Sequence, residues 1–372
     1  MRVAEIPSSS IDATSIDALE RMLHLPAGQN YECIRCGRSC GEFWEILVEP
    51  EIVESIRARP AEALAEALDP RDPVVDSPFT PGQPVMRLTE GCCCLRTRDG
   101  LCSLHAAFGI LAKPNVCRSF PYRFVETPQG VFTGISFACT AVLANLGPPV
   151  AAQAGEIRRT HAFTIHKRAL TQPPDLAVDL PLSWEQYARI ERDLDELLAP
   201  GLGPIEQRLA AQSVYLGMLA KFLRQARTEA GAAAAGPEAH ERLLEHYRAQ
   251  MRGDAGDPWP TVRRIGGRRR RSPLLRRMCL GVAHELRNVH GRRRGRWRSY
   301  ADIGFTYLRS AIGRGMVELP GLAAPVSQRR IEQIGFNPGA PEMDELLTRY
   351  FRHRLFRKDL AMADDVRWGH YL

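Results

Sequence analysis

The chain has 372 residues, 44% of them hydrophobic and 25% charged, and a formal net charge of +7. This length is too great for one small core and suits two domains, and the composition is that of a globular protein, not a disordered or fibrous one. No stretch approaches the roughly 18–20 uninterrupted apolar residues of a membrane span, so no membrane partner is expected.

Residues 1–30 read as a lead-in with a short helix around Ser15–Leu23. Met1–Ser10 has one arginine and no apolar run, which does not read as a secretory signal. A reducing cytoplasmic setting is therefore expected, where structural disulfides are rare. Residues 31–146 read as a cysteine-rich domain. Within it Phe43–Val48 is β-rich, and Pro50 stands where a helix over Glu51–Leu68 could start. Arg71–Gln83 is Pro- and Asp-rich loop. Val85–Leu88 and Cys92–Thr97 read as short strands, the second ended by an Asp99-Gly100 turn. Leu101–Leu111 has helical spacing. Tyr122–Glu126 and Val131–Phe137, split by Thr127-Pro128-Gln129-Gly130, predict a hairpin.

Residues 147–182 form a proline-bounded connector with a short strand expected in Thr160–Lys167. Residues 183–372 then change character. Ser183 caps a helix over Trp184–Leu198. Ile205–Glu229, His240–Arg252, Leu274–Asn288, Tyr300–Gly315 and Glu342–Ala363 carry apolar residues at three-and-four spacing. Gly231–Gly236 reads as a linker. On the last helix Leu347, Phe351 and Leu355 share a buried face, which would leave Arg352, His353 and Arg357 toward water. The expected fold class is α+β: a small metal-stapled cysteine-rich domain with short strands, then a mostly α-helical domain.

Nine of the ten cysteines lie between Cys33 and Cys139; Cys279 stands apart and reads as packing. Thiols this grouped in a reducing setting point to a soft or borderline metal. Cys33-x-x-Cys36 lets two sulfurs face one ion across a tight turn. Gly37 permits the positive φ that aims backbone N–H groups at sulfur. Cys40 can complete one wall of the site. In an extended Cys92-Cys93-Cys94 run, Cys92 and Cys94 share one face and Cys93 takes the other. Some of the three are then ligands, and at least one packs as a small hydrophobe. Cys102 is expected on a first helical turn. Cys117-Arg118 is expected in a loop before Pro121, with Arg118 offsetting thiolate charge. His105 reads as a helix-surface residue.

Four blocks carry a resemblance: Cys33-x-x-Cys36-Gly-Arg-Ser39-Cys40, Cys92-x-x-Leu95, Gly100-Leu-Cys102-Ser-Leu-His105 and Lys113-Pro114-x-x-Cys117-Arg118-x-Phe120-Pro121. In order and spacing they resemble the cysteine-cluster family of zinc- or iron-chelating domains, whose signature is CxxCxxCC with later cysteines. The resemblance covers about residues 31–140, and Ser39 departs from it at the third cysteine position. Trp44-Glu-Ile46, Phe108-Gly109 and Ser136-Phe-Ala-Cys139 make the chain most similar to the flagellin lysine N-methylase branch. This implies methyl transfer from S-adenosylmethionine to a lysine of a protein substrate, beside a cysteine-bound metal centre.

The residues themselves give a methylase little support. No Gly-x-Gly-x-x-Gly loop follows a strand, and the radical-type C-x3-C-x2-C order is reversed here. No catalytic residue can be named; Glu42, Glu45, Tyr122 and Arg123 are only near the cysteines in sequence. The candidate metal ligands are Cys33, Cys36, Cys40, Cys92, Cys94, Cys102, Cys117 and Cys139. Four would hold one [4Fe–4S] cluster. The resemblance aligns seven of the cysteines, Cys33, Cys36, Cys40, Cys92, Cys102, Cys117 and Cys139, so two four-thiolate zinc sites, which need eight, would also take Cys93 or Cys94.

Arg263–Arg298 holds fourteen arginines against one acid, Glu285, so the rest of the chain is mildly acidic. With Trp297 and Tyr300 the block could track a nucleic-acid backbone. It could equally dock an acidic protein, or be a solvated surface. A binding module with structural metal, contacting partners through this block, is the alternative to an enzyme.

Overall fold

The structure is a computed structural model that describes residues 22–40, 45–64, 67, 69, 71–77, 80–89, 92–165, 167–177, 179–228, 237–252, 316–317, 326–333, 340–362 and 366. Helix and strand are mixed within it, in agreement with the α+β expectation. The arginine block, Cys279, Glu42, the Gly231–Gly236 linker and the helices expected over Leu274–Asn288 and Tyr300–Gly315 lie outside the described residues, as does most of the expected Ser15–Leu23 helix.

Leu23–His24 (β1) is a strand, so the lead-in ends inside a sheet. The predicted hairpin forms from Tyr122–Thr127 (β6) and Gly130–Ile135 (β7). Its four-stranded sheet runs β1-β7-β6-β8, with Arg168–Ala169 as β8. The hairpin is antiparallel, while β1 joins β7 and β8 joins β6 in parallel. Gly130 makes the entry of β1 possible: its φ is 128°, and a Cβ there would lie 2.3 Å from the Met22 carbonyl oxygen. Among the described residues of Thr160–Lys167 no strand forms. The segment's first residues finish the helix Ala154–Ala162, and strand pairing begins only at Arg168.

Between β1 and the hairpin lies a second small core. Pro50–Arg57 (α1) starts at its proline as predicted but stops early. Pro60 supplies no amide donor and disfavours helical backbone before it, and a 3-10 turn over Ala61–Leu64 follows. The predicted loop Arg71–Gln83 contains Val74–Asp76 (β2), which pairs with Pro84–Met86 (β3). Leu88–Thr89 (β4) pairs with Cys92–Cys93 (β5). Ser103–Phe108 (α2) and Asn115–Ser119 (α3) are short helices, so Cys117 stands on a helix rather than a loop. Ile46, Ile52, Ile56, Val74, Leu95 and Leu104 are among the residues that pack at the centre of this core.

The helical half is built on Trp184–Leu197 (α4), Ile205–Thr228 (α5), Pro237–Arg252 (α6) and Pro341–Phe356 (α7). Ser183 caps α4 as predicted: its hydroxyl accepts from the Gln186 N–H at 3.2 Å, and the Gln186 side chain accepts from the Ser183 N–H at 2.8 Å. Tyr187, Ile190, Leu194, Tyr215 and Leu219 are buried between these helices. Leu355 is buried there too, with Leu347 and Phe351 packed beside it.

The opposite side of α7 does not face water. His353 is 4% exposed, and Phe356 meets Phe132 of β7 with ring centres 5.6 Å apart. Arg357 crosses Gly134, where a Cβ would stand 2.8 Å from its own Cβ. The expectation for His353 and Arg357 is therefore corrected. The sheet shows a face that the local periodicity of α7 could not reveal, and α7 is sandwiched between it and the helical core.

Candidate functional site

Two turns bring the cysteine blocks together. The Cys33–Cys40 loop ends in a 3-10 turn over Arg38–Cys40, where the Cys40 N–H donates to the Gly37 carbonyl at 3.1 Å. The Asp99-Gly100 turn closes with the Gly100 N–H on the Thr97 carbonyl at 3.0 Å. Gly37 has φ 61° and Gly100 φ 85°. A Cβ on Gly37 would lie 2.6 Å from the Gly100 carbonyl oxygen. Only glycine allows both the left-handed backbone and this approach. Arg96 seals the seam, donating from Nη1 to Cys92 Sγ at 3.3 Å.

One group of thiols lies against the second core. Cys40, Cys102 and Cys117 pack on it, and Cys93 is part of it. Cys102 is the residue before the first turn of α2. Burial pushes Cys40 up to about 11, and the neighbouring Cys93 and Cys102 thiols add to this. Burial also pushes Cys117 far up, with further increments from Cys93, Cys40 and Cys102. Cys102 is raised by burial and by Cys93. Four thiols from four separate stretches thus lie within electrostatic reach of one another. Lys113 opposes the shift at each of them.

Cys94 is part of the same core and hydrogen-bonds with Cys93, but it has further partners of its own. Its Sγ points to the Pro73 carbonyl at 3.8 Å, and Arg87 helps to lower its pKa after the hydrogen bond with Cys93. The turn that follows β5 rotates the run, so Cys93 faces the thiol group and Cys94 the β2–β3 side.

A second group surrounds Tyr31. Cys139, the residue before the helix Thr140–Leu143, is buried beside Tyr31 and Tyr122. Cys139 is raised by burial and by Cys36 and Cys33, and Tyr31 by burial and then by Cys33 and Cys139. Cys33 is exposed and Cys36 half-buried. The nine described cysteines are all free thiols. Among the described residues no three His, Cys, Asp or Glu side chains are arranged so that they could hold a metal ion.

Other candidates have structural partners. Glu45 accepts from the Ser77 hydroxyl at 2.7 Å. The Tyr122 hydroxyl donates to Gln153 at 3.3 Å, and Arg123 lies on the exposed side of β6. His105 is exposed, as its helical position suggested. Arg118 donates to the Lys113 carbonyl at 2.5 Å, and the cations beside the Cys40 thiol are Lys113 and Arg96. Lys113 had a signal in the sequence: it is one of four lysines, placed four residues before Cys117.

Comparison with family models, with curated proteins and with solved structures finds no match. Among the described residues no helix is long and apolar enough to cross a membrane.

Proposed function

We propose that the chain is a cysteine-cluster metalloprotein whose Cys40, Cys93, Cys102 and Cys117 bind a soft or borderline metal, zinc or an iron–sulfur cluster. The observation that carries this reading is their packing at one core, with Cys93 inside it and Cys40, Cys102 and Cys117 against it. The donor set fits such a metal: four thiols, the number that a structural zinc or one [4Fe–4S] cluster takes. Buried thiols that raise one another are held neutral, and a bound cation reverses that balance by stabilising thiolates. Lys113 supports the same ionisation. Because no three of these side chains stand ready for an ion as placed, binding on this reading closes them around it, coupling metal uptake to local ordering. The metal would tie the Cys33–Cys40 loop, β5, α2 and α3 together.

The test is metal analysis of protein purified without oxygen, with a visible spectrum. Stoichiometric zinc in a colourless protein, or iron and sulfide in a brown one, is the expected result. Protein free of both in every preparation and unable to take up either would end the reading. The resemblance to lysine methylases adds a second readout on the same sample. Retention of S-adenosylmethionine extends the reading to an enzyme, and its absence leaves a structural metal module.

A further inference from the structure

Lysine is rare in this chain: there are four, against abundant arginine. One of them, Lys358, is 3% exposed. It directly follows the residue that caps the C-terminus of α7 and has φ 62°. Glycine is usual at that place, because the left-handed conformation strains any side chain that has a Cβ. A buried lysine there needs contacts that outweigh both strain and desolvation.

Those contacts converge on its ammonium. Nζ is paired with the Glu191 carboxylate. It lies 3.7 Å from the centre of the Phe132 ring and 5.7 Å from that of Tyr187. Tyr187 and Glu191 stand one turn apart on α4, and Phe132 comes from β7. One carboxylate and two aromatic rings around a point hold a compact ammonium well. The flat guanidinium that this chain otherwise favours has a different shape and donor geometry. The site also holds polar atoms that Lys358 does not use. The buried Tyr187 hydroxyl lies against the Glu191 carboxylate and interacts with it.

We propose that Phe132, Tyr187 and Glu191 form a binding site for an alkylammonium cation, held by this chain's own Lys358 as an internal plug. The ligand class is a primary or methylated aliphatic amine. The plug would leave with the turn over residues 357–362. That turn is fastened by Arg354 and Arg357 to Asp359, at 3.2 and 2.7 Å, and by Arg168 to the Ala361 carbonyl. Arg168 and Asp359 also face Tyr187. Burial pushes Glu191 up to about 7 against the opposing effect of Lys358.

The test removes the plug and offers its head group. Lys358→Ala protein is melted at pH 8 with rising methylammonium chloride, with sodium chloride at equal ionic strength as control. A saturable rise of several degrees, absent with sodium chloride and absent in Lys358→Ala/Glu191→Gln, is expected. Equal responses to the two salts would overturn the proposal. Should Lys358→Ala not fold, the wild-type chain is labelled with an amine-acetylating ester and Lys358 is followed by peptide mass spectrometry. Tetramethylammonium, which the reagent cannot consume, is then expected at least to double labelling at Lys358. Labelling unchanged from the sodium chloride control overturns the proposal in that arm.

Discussion

His353 Nε2 accepts a hydrogen bond of 2.7 Å from the Ile135 N–H, joining residues 218 positions apart. The acceptor role requires Nε2 to be unprotonated. Burial, with Arg357 nearby, lowers the His353 pKa to about 4. The folded value lies below the unfolded one, so the unfolded chain binds the extra proton between them. The contribution of His353 is therefore complete above about pH 6.5 and is lost as pH falls toward 4. Acid unfolding should show this as a loss on the order of 3 kcal/mol over that window. His353→Ala should cost about 1–3 kcal/mol at pH 7, because the Ile135 donor is left buried and unmatched. Urea titrations of both proteins at pH 7 and 4.5 check it: the variant should lack this part of the acid loss.

Among the described residues Arg208 is the largest fully buried side chain, with 0% exposure. It donates to the Leu198 carbonyl, to the Thr348 hydroxyl at 2.9 Å and to both oxygens of Asp344. It thereby binds the end of α4 and the face of α7 to the start of α5. Asp344 also accepts from the Ile205 N–H at 3.2 Å, which caps α5. Arg208→Ala removes the cation and leaves those groups without it, so a loss of about 3–5 kcal/mol is expected. Asp344→Asn loses one of the two acceptor oxygens and the counter-charge of the buried guanidinium, so a loss of about 3–5 kcal/mol is expected there too. Thermal melts that find either variant as stable as the wild type would contradict this account.

The cap at Ser183, the hairpin and the start of α1 at Pro50 were legible because their signals are local. Ser183-x-x-Gln186 is a capping box, and Pro128-Gln129 breaks a strand pattern where the hairpin turns. His353 and Arg357 were misread because α7 has two partners, and the sheet that receives its second face is built over 200 residues earlier. The cysteine blocks could be named from spacing. Which thiols meet could not, since that depends on how the chain turns after Cys93. An alternating run puts Cys92 with Cys94, whereas the turn at Cys94-Leu95 sends Cys94 toward Pro73.

Gly37 sets the distance between the Cys33–Cys40 block and the Gly100–His105 block. Gly37→Ala forces a Cβ to within 2.6 Å of a backbone oxygen and a side chain into φ 61°. The conformational part alone is about 1–2 kcal/mol. The clash cannot relax by a side-chain rotation, because the obstacle is main chain. The expected outcome is a stability loss above that figure and, if the proposed metal is bound, weaker retention of it. Gly82→Ala serves as the control: φ there is 80° but no atom lies within 4 Å, so only the conformational cost should appear.

Cys93 and Cys94 are adjacent and buried, yet they should respond differently to replacement. Cys93 stands with Cys40, Cys102 and Cys117. Cys94 faces the Pro73 carbonyl and Arg87. If the first group binds the metal, Cys93→Ser removes one of four soft donors and the metal content of purified protein should fall at least tenfold. Cys94→Ser places a hydroxyl within reach of an existing carbonyl acceptor. It should retain the metal and change stability by no more than about 1–2 kcal/mol. Metal analysis and a denaturant midpoint on both variants read the two effects separately. Equal metal loss in both would mean that the run turns differently once metal is bound. Full retention in Cys93→Ser would remove that residue from the ligand set.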